Sequence, residues 1–178
     1  MSLLQHMGLD TQCCNTYTTS MATTTTTLRD EIRQRKPFDS LEQEALLNII
    51  RTSSRLMDAM EDLLKPYGIS GTQYNVLRIL RGAEENALCR NELRDRMLTR
   101  MPDMTRLLDR MEEAGLVTRA REKDDRRMVL TRITAQGRAL LASLDEPVTA
   151  FNHELLGHMS QAQLHDLIDL LTLARRAG

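Results

Sequence analysis

A chain of 178 residues, 41% of them hydrophobic, suffices for one sizeable core and is too short for two independent catalytic domains. Charged residues at 28%, a mean hydropathy of −0.39 and the lack of any apolar run of about 18 residues point away from a membrane span or a secreted precursor, so a cytoplasmic setting is expected. The formal net charge of −1 lacks the basic signature of a nucleic-acid binder, but residues 90–138 hold 13 Arg or Lys against 9 Asp or Glu, leaving 11 against 16 elsewhere. Such a basic segment can focus an anionic partner, and is equally the ordinary way to keep a surface soluble.

Residues 1–38 have no sustained apolar period and include the polar tract Thr23 to Thr27, so a flexible arm is expected. Met21 stands as an alternative translation start, which would make residues 1–20, with Cys13 and Cys14, an extension on which nothing functional rests. Three cysteines, two of them adjacent, cannot build a conventional disulfide framework, and a reducing compartment fits. With aromatic content of 3% and no Trp, the core must be aliphatic, as packed helices favour.

The segment Asp39-Ser40-Leu41-Glu42 predicts a helix start, with Asp39 as cap and Glu42 three residues on, and Leu46, Ile49, Ile50, Leu56, Met57, Met60 and Leu64 recur at helical spacing up to Pro66 and Gly68. Ser70 to Gln73 is a second capping pattern, opening a short helix through Tyr74, Val76, Leu77 and Leu80 that Gly82 ends. A third helix is predicted from Arg90 to Met97, with Cys89 as cap and Glu92 three residues later. Arg100-Met101-Pro102 interrupts it, and Pro102 suits the first turn of a new helix whose Met104, Leu107, Leu108 and Met111 follow core-facing spacing until Gly115. Two helices joined by a short turn, the second exposing Asp103, Arg106 and Arg110, make the arrangement that lays a recognition helix in a major groove.

Leu116–Glu122 and Met128–Thr134 read as short strands around the charged hairpin tip Lys123 to Arg127, which is either a wing able to insert Arg into a minor groove or a solvated turn. A long helix then starts at Thr134 and carries Leu140, Leu141, Leu144, Val148 and Leu155, and Ser160 to Gln163 cap a last helix bearing Leu164, Leu167, Ile168, Leu171 and Leu173. These helices and the first offer more apolar surface than one small domain needs, so a homodimer with a shared helical core is expected. The predicted fold is mainly α with a small two- to three-stranded β wing. Residues 39–176 form a single domain, with dimerisation helices at 39–65 and 135–176 around a winged helix-turn-helix lobe at 70–134.

Catalysis has little support. There is no phosphate-cradling Gly loop, Cys-x-x-Cys pair or His-Glu-x-x-His pattern, and His153, His158 and His165 are not spaced to place a metal pair on one helical face. No cofactor or metal is expected.

Residues 41–176 resemble the multiple antibiotic resistance regulator (MarR) family of bacterial transcription factors. The residues that carry this resemblance are Asn91 to Met97, Thr105 to Val117, and Asp125-Arg126-Arg127 leading to Leu130 through Gly137. Asp125 and Arg127 fall at the two defining positions of an Asp-x-Arg wing, followed by an Ile-Thr-x-x-Gly helix start. The resemblance implies a homodimer that binds a pseudo-palindromic duplex operator through paired lobes, usually to repress transcription. The residues it implies at the DNA are Arg100, Asp103, Thr105, Arg106, Arg110, Asp125, Arg126 and Arg127, with Thr105 and Arg106 at base edges or phosphates, Arg110 at the backbone, Arg127 in the minor groove and Asp125 orienting the wing. Each has a plainer reading: Arg106 and Arg110 as a solvated pair neutralised by Asp103 and Asp109, and Asp103 as a helix cap rather than an acceptor for a cytosine amino group. Met101-Pro102-Asp103 departs from the Ser or Lys-Ser common in the family, so its first-turn contacts do not transfer.

The family also implies a small aromatic or carboxylate effector in a cleft beside the lobes. Arg51, Arg55, Tyr74 and Arg78 are candidate lining residues, each equally explained as exposed or as part of an interface. The first helix lacks the reactive cysteine of oxidant-sensing relatives, and Cys89 is either a helix-end thiol of lowered pKa or structural filler. The rival from another class is a helical protein-binding or adaptor module with a degenerate winged lobe, kept open by the near-neutral charge. A hydrolase or ligand carrier would need convergent polar groups that the sequence does not assemble.

Overall fold

The computed structural model describes residues 26–83, 86–122 and 127–176, and these form seven α-helices and three short strands. The chain divides into two compact units, residues 1–48 and 49–178. In the first, α1 (Leu28–Glu31) falls within the stretch expected to lack structure. A local capping box starts it: the Thr27 hydroxyl accepts from the Asp30 N–H at 3.4 Å and the Asp30 carboxylate accepts from the Thr27 N–H at 3.1 Å. Capping of this kind needs no apolar period, which is why hydrophobic spacing does not reveal it. Helix α2 (Leu41–Leu64) takes its cap one residue later than expected, at Ser40: Ser40 Oγ accepts from the Gln43 N–H at 3.2 Å, and Gln43 Oε1 accepts from the Asp39 N–H at 2.7 Å.

In the second unit, a 3-10 turn (Lys65–Tyr67) leads to α3 (Gly71–Gly82), capped by Ser70 and Gln73 as predicted. Glu61 on α2 reinforces that helix start, accepting from the Gly71 N–H at 2.8 Å. Strand β1 (Leu88–Cys89) precedes α4 (Arg90–Arg96), where Cys89 is the N-cap and its N–H donates to Glu92 Oε2 at 2.7 Å. That bond holds the Glu92 carboxyl below its ordinary pKa. Helix α5 spans Met104–Glu113, so Pro102 lies in the preceding turn rather than in the first helical turn, because Asp103 takes the cap.

Four α5 residues, Met104, Leu107, Leu108 and Met111, are buried at the predicted spacing. The helix ends where Gly115 adopts φ +71°, which lets the Leu116 N–H reach back to the Met111 carbonyl at 2.9 Å. Strands β2 (Val117–Arg121) and β3 (Val129–Ile133) pair antiparallel, Val117 opposite Ile133 and Arg121 opposite Val129. Strand β1 adds to the other side of β3, giving the order β1-β3-β2.

Thr134 then turns the chain into α6 (Ala135–Leu156). Its hydroxyl donates to the carbonyls of Gly115 (2.7 Å) and Leu116 (3.1 Å) and accepts from the Gly137 N–H at 3.0 Å. A Cβ at Gly137 would stand 2.3 Å from the Leu116 carbonyl oxygen, so the approach of α6 to the sheet requires glycine there. Helix α7 (Gln161–Ala174) starts at the predicted Ser160 cap. The core gathers Leu64, Val76, Leu77, Leu80, Leu93, the α5 stripe, Leu116, Val117, Ile133, Leu141 and Leu144. Among the described residues, no helix is long and apolar enough to cross a membrane.

Candidate nucleic-acid interface

Helices α4 and α5 and the β2–β3 ribbon carry the predicted DNA-facing residues. Burying the α5 stripe leaves Thr105, Arg106 and Arg110 on the outside of the helix. Asp103 Oδ1 accepts from the Arg106 N–H at 3.0 Å, so Asp103 is a cap; its second oxygen lies 3.2 Å from Arg106 Nε. With the Arg106 side chain 83% exposed, this surface pair is worth only about 0–1 kcal/mol and leaves the guanidinium open to exchange partners. Arg110 Nε donates to the Arg106 carbonyl at 3.3 Å. Asp109 does not neutralise these two cations; it pairs with Arg119 on β2.

Two hollows organise the rest. One, of about 390 Å³, is lined by Arg90, Thr105, Leu108, Arg119, Arg127 and Thr131 among others, and so brings Thr105 of α5 beside Arg127 of the ribbon. Cys89 also lines it. The other, of about 660 Å³, is lined by Arg94, Met97, Thr99, Arg100, Met101 and Pro102, and so places Arg100 at the turn between α4 and α5. Asp125 and Arg126 lie outside the described residues, as do the predicted wing-tip residues 123 and 124.

Two cations that sequence reasoning does not single out take part. Arg90 at the head of α4 donates to Thr105 Oγ1 at 3.3 Å, tying the first helix to the second. Arg119 grips both Asp109 and Glu112, and hydrogen bonding to Glu112 and then to Asp109 raises its guanidinium pKa. The available signal is the i, i+3 spacing of those two carboxylates on a helix packed beside the strand.

The effector candidates are more scattered in character. Arg51 and Arg55 are exposed on α2 and Arg78 is exposed on α3, whereas Tyr74 is half-buried against the core. None of these four lines either hollow at the α4, α5 and ribbon face.

A helix–turn–helix with a buried-stripe second helix, followed by a two-stranded ribbon and a basic outer face, defines a winged helix-turn-helix protein. A family model described as "MarR family" matches residues 67–128. A MarR transcription factor from Planctomyces limnophilus of known structure is 39% identical, covering 77% of this chain and 99% of its own, with a TM-score of 0.60. The HTH-type transcriptional regulator PrsX of Escherichia coli is 28% identical over 156 residues, 84% of this chain and 94% of PrsX. A mutant of E. coli MarR, solved in complex with operator DNA, shares the fold at 24% identity and a TM-score of 0.66, covering 83% of this chain and 97% of its own. The chain belongs to the MarR family and is a transcriptional regulator of that type.

Proposed function

We propose that this regulator binds a pseudo-palindromic operator as a homodimer, with α5 in the major groove and the β2–β3 wing at the minor groove, and that it acts as a repressor released by a small aromatic or carboxylate effector. The observation that carries this reading is the shared hollow of Thr105 and Arg127, which sets an exposed recognition-helix residue and a wing arginine on one face. Arg106 and Arg110 extend that face along α5, and Arg100 extends it at the turn. The lobe at 70–134 reads DNA, and the helices at 39–65 and 135–176 pair the subunits.

Two exposed apolar faces support pairing. On α2, Ile49 (40%), Ile50 (55%) and Met57 (50%) flank a shallow hollow of about 460 Å³. On α7, Ile168, Leu170 and Leu173 are each about 60% exposed. Such stripes are costly to leave in water and match what a second copy would cover. Effector release rests on the family, with Arg51, Arg55, Tyr74 and Arg78 as the residues to probe first.

The test is operator binding by Arg106→Ala and Arg127→Ala. Each should weaken binding several-fold or more, about 1–3 kcal/mol for a base-edge contact, while sedimentation shows an unchanged dimer. Variants that bind as the parent does would contradict the assignment of α5 and the wing.

A further inference from the structure

Strand β2 is an edge of the sheet, and Arg119 in its middle is locked to the recognition helix by both backbone and side chain. Its N–H donates to Glu112 Oε1 at 2.9 Å and its Nε donates to Glu112 Oε2 at 2.8 Å. The same guanidinium reaches Asp109 Oδ1 at 2.6 Å, leaving its side chain 22% exposed. Asp109 and Glu112 stand one turn apart on α5, so a single planar fork holds two successive points of the helix against the ribbon. Arg119 also lines the hollow that joins Thr105 and Arg127, so the grip lies beside the elements that meet DNA.

We propose that Arg119 is a positioning residue for sequence readout, fixing the angle between recognition helix and wing through Asp109 and Glu112 and withdrawing two carboxylates from the field that phosphate meets. This rests on the DNA-binding reading above. Removing the fork leaves α5 joined to the ribbon by apolar packing and the single bond from the Arg119 N–H to Glu112, and strips the cation from two carboxylates on the reading helix. Lys in its place would restore a charge but not two simultaneous, directed contacts. Register and discrimination depend on the first effect, and general affinity for a polyanion depends on the second.

The experiment uses the full-length protein, a duplex it enriches from a random-sequence pool and a random duplex of equal length, titrated at two salt concentrations. Arg119→Met should lower preference for the enriched duplex by about tenfold, the scale of one lost base-edge contact, and should also weaken random-duplex binding. Arg119→Lys, and the charge-cancelled variant Arg119→Met with Asp109→Asn and Glu112→Gln, should restore random-duplex binding without restoring preference. Glu112→Gln, which keeps an acceptor for the Arg119 N–H, should lose preference with the helical circular dichroism unchanged, and so tests the idea even if Arg119→Met fails to fold. Full preference in Glu112→Gln, or its recovery in the charge-cancelled variant, would overturn positioning in favour of charge alone. If the parent protein enriches no duplex, it is the DNA-binding reading itself that fails.

Discussion

Arg81 on α3 and Asp145 on α6 meet as a two-pronged ion pair, Nη1 to Oδ2 at 2.9 Å and Nη2 to Oδ1 at 2.8 Å. The pair ties the helix that supports the winged lobe to a helix proposed for dimerisation, 64 residues away in sequence. The Arg81 guanidinium holds the Asp145 carboxyl below its ordinary pKa.

A carboxyl depressed in the folded state binds fewer protons there than in the unfolded chain. Its contribution is therefore complete above the unfolded value of about 3.9 and is lost as pH falls through the lower folded value. Arg81→Met should lower the thermal midpoint at pH 7, and the gap from the parent protein should close progressively below about pH 4. A gap of undiminished size in the most acidic melts would show that the pair is not its source.

Gly137→Ala should destabilise the fold through the close approach of α6 to Leu116. The added methyl meets a backbone carbonyl at 2.3 Å and Ile133 Cγ1 at 2.9 Å, neither of which is a mobile side-chain end. Overpacking of this kind costs about 1–3 kcal/mol, and the backbone partner favours the upper end. Chemical denaturation would measure it, and a variant as stable as the parent would mean that α6 can slide without cost.

Leu77→Ala and Leu141→Ala each empty a fully buried position in the core. Each should cost about 2–5 kcal/mol, with no loss expected from the same change at Leu98, which is 78% exposed at the turn before α5. Calorimetric midpoints compare the three directly.

The apolar stripe of α5, the Ser70 and Ser160 caps and the two ribbon strands are all legible in the sequence, because each depends on local spacing or on a capping residue next to its partner. Arg119 is not. Its role arises only when β2 packs beside α5 and brings a strand cation to two helix carboxylates, a relationship with no sequence period. The same limit explains Asp109, which helical spacing pairs with cations of its own helix and which turns instead to the strand. Helix α1 escapes because a single capping box, not an apolar face, starts it. Pro102 sits before the cap, two residues ahead of the first helical residue Met104, since Asp103 takes that helix end and also supplies an acceptor.

On the proposed homodimer, Ile50→Glu should shift the protein towards monomer at micromolar concentration, because a carboxylate in a covered apolar face has no partner for its charge. Sedimentation velocity gives the mass, and circular dichroism should show the helices retained. A variant that stays dimeric would move the interface away from this face of α2.

Binding of the purified protein to its own upstream intergenic DNA, titrated against random duplex at two salt concentrations, tests the regulator reading most directly. Preference for the upstream fragment that weakens as salt rises is the predicted result. Equal binding to both duplexes, or none to either, would contradict an operator there; if genome-wide selection also enriched no fragment, the winged lobe would be a protein-binding module instead.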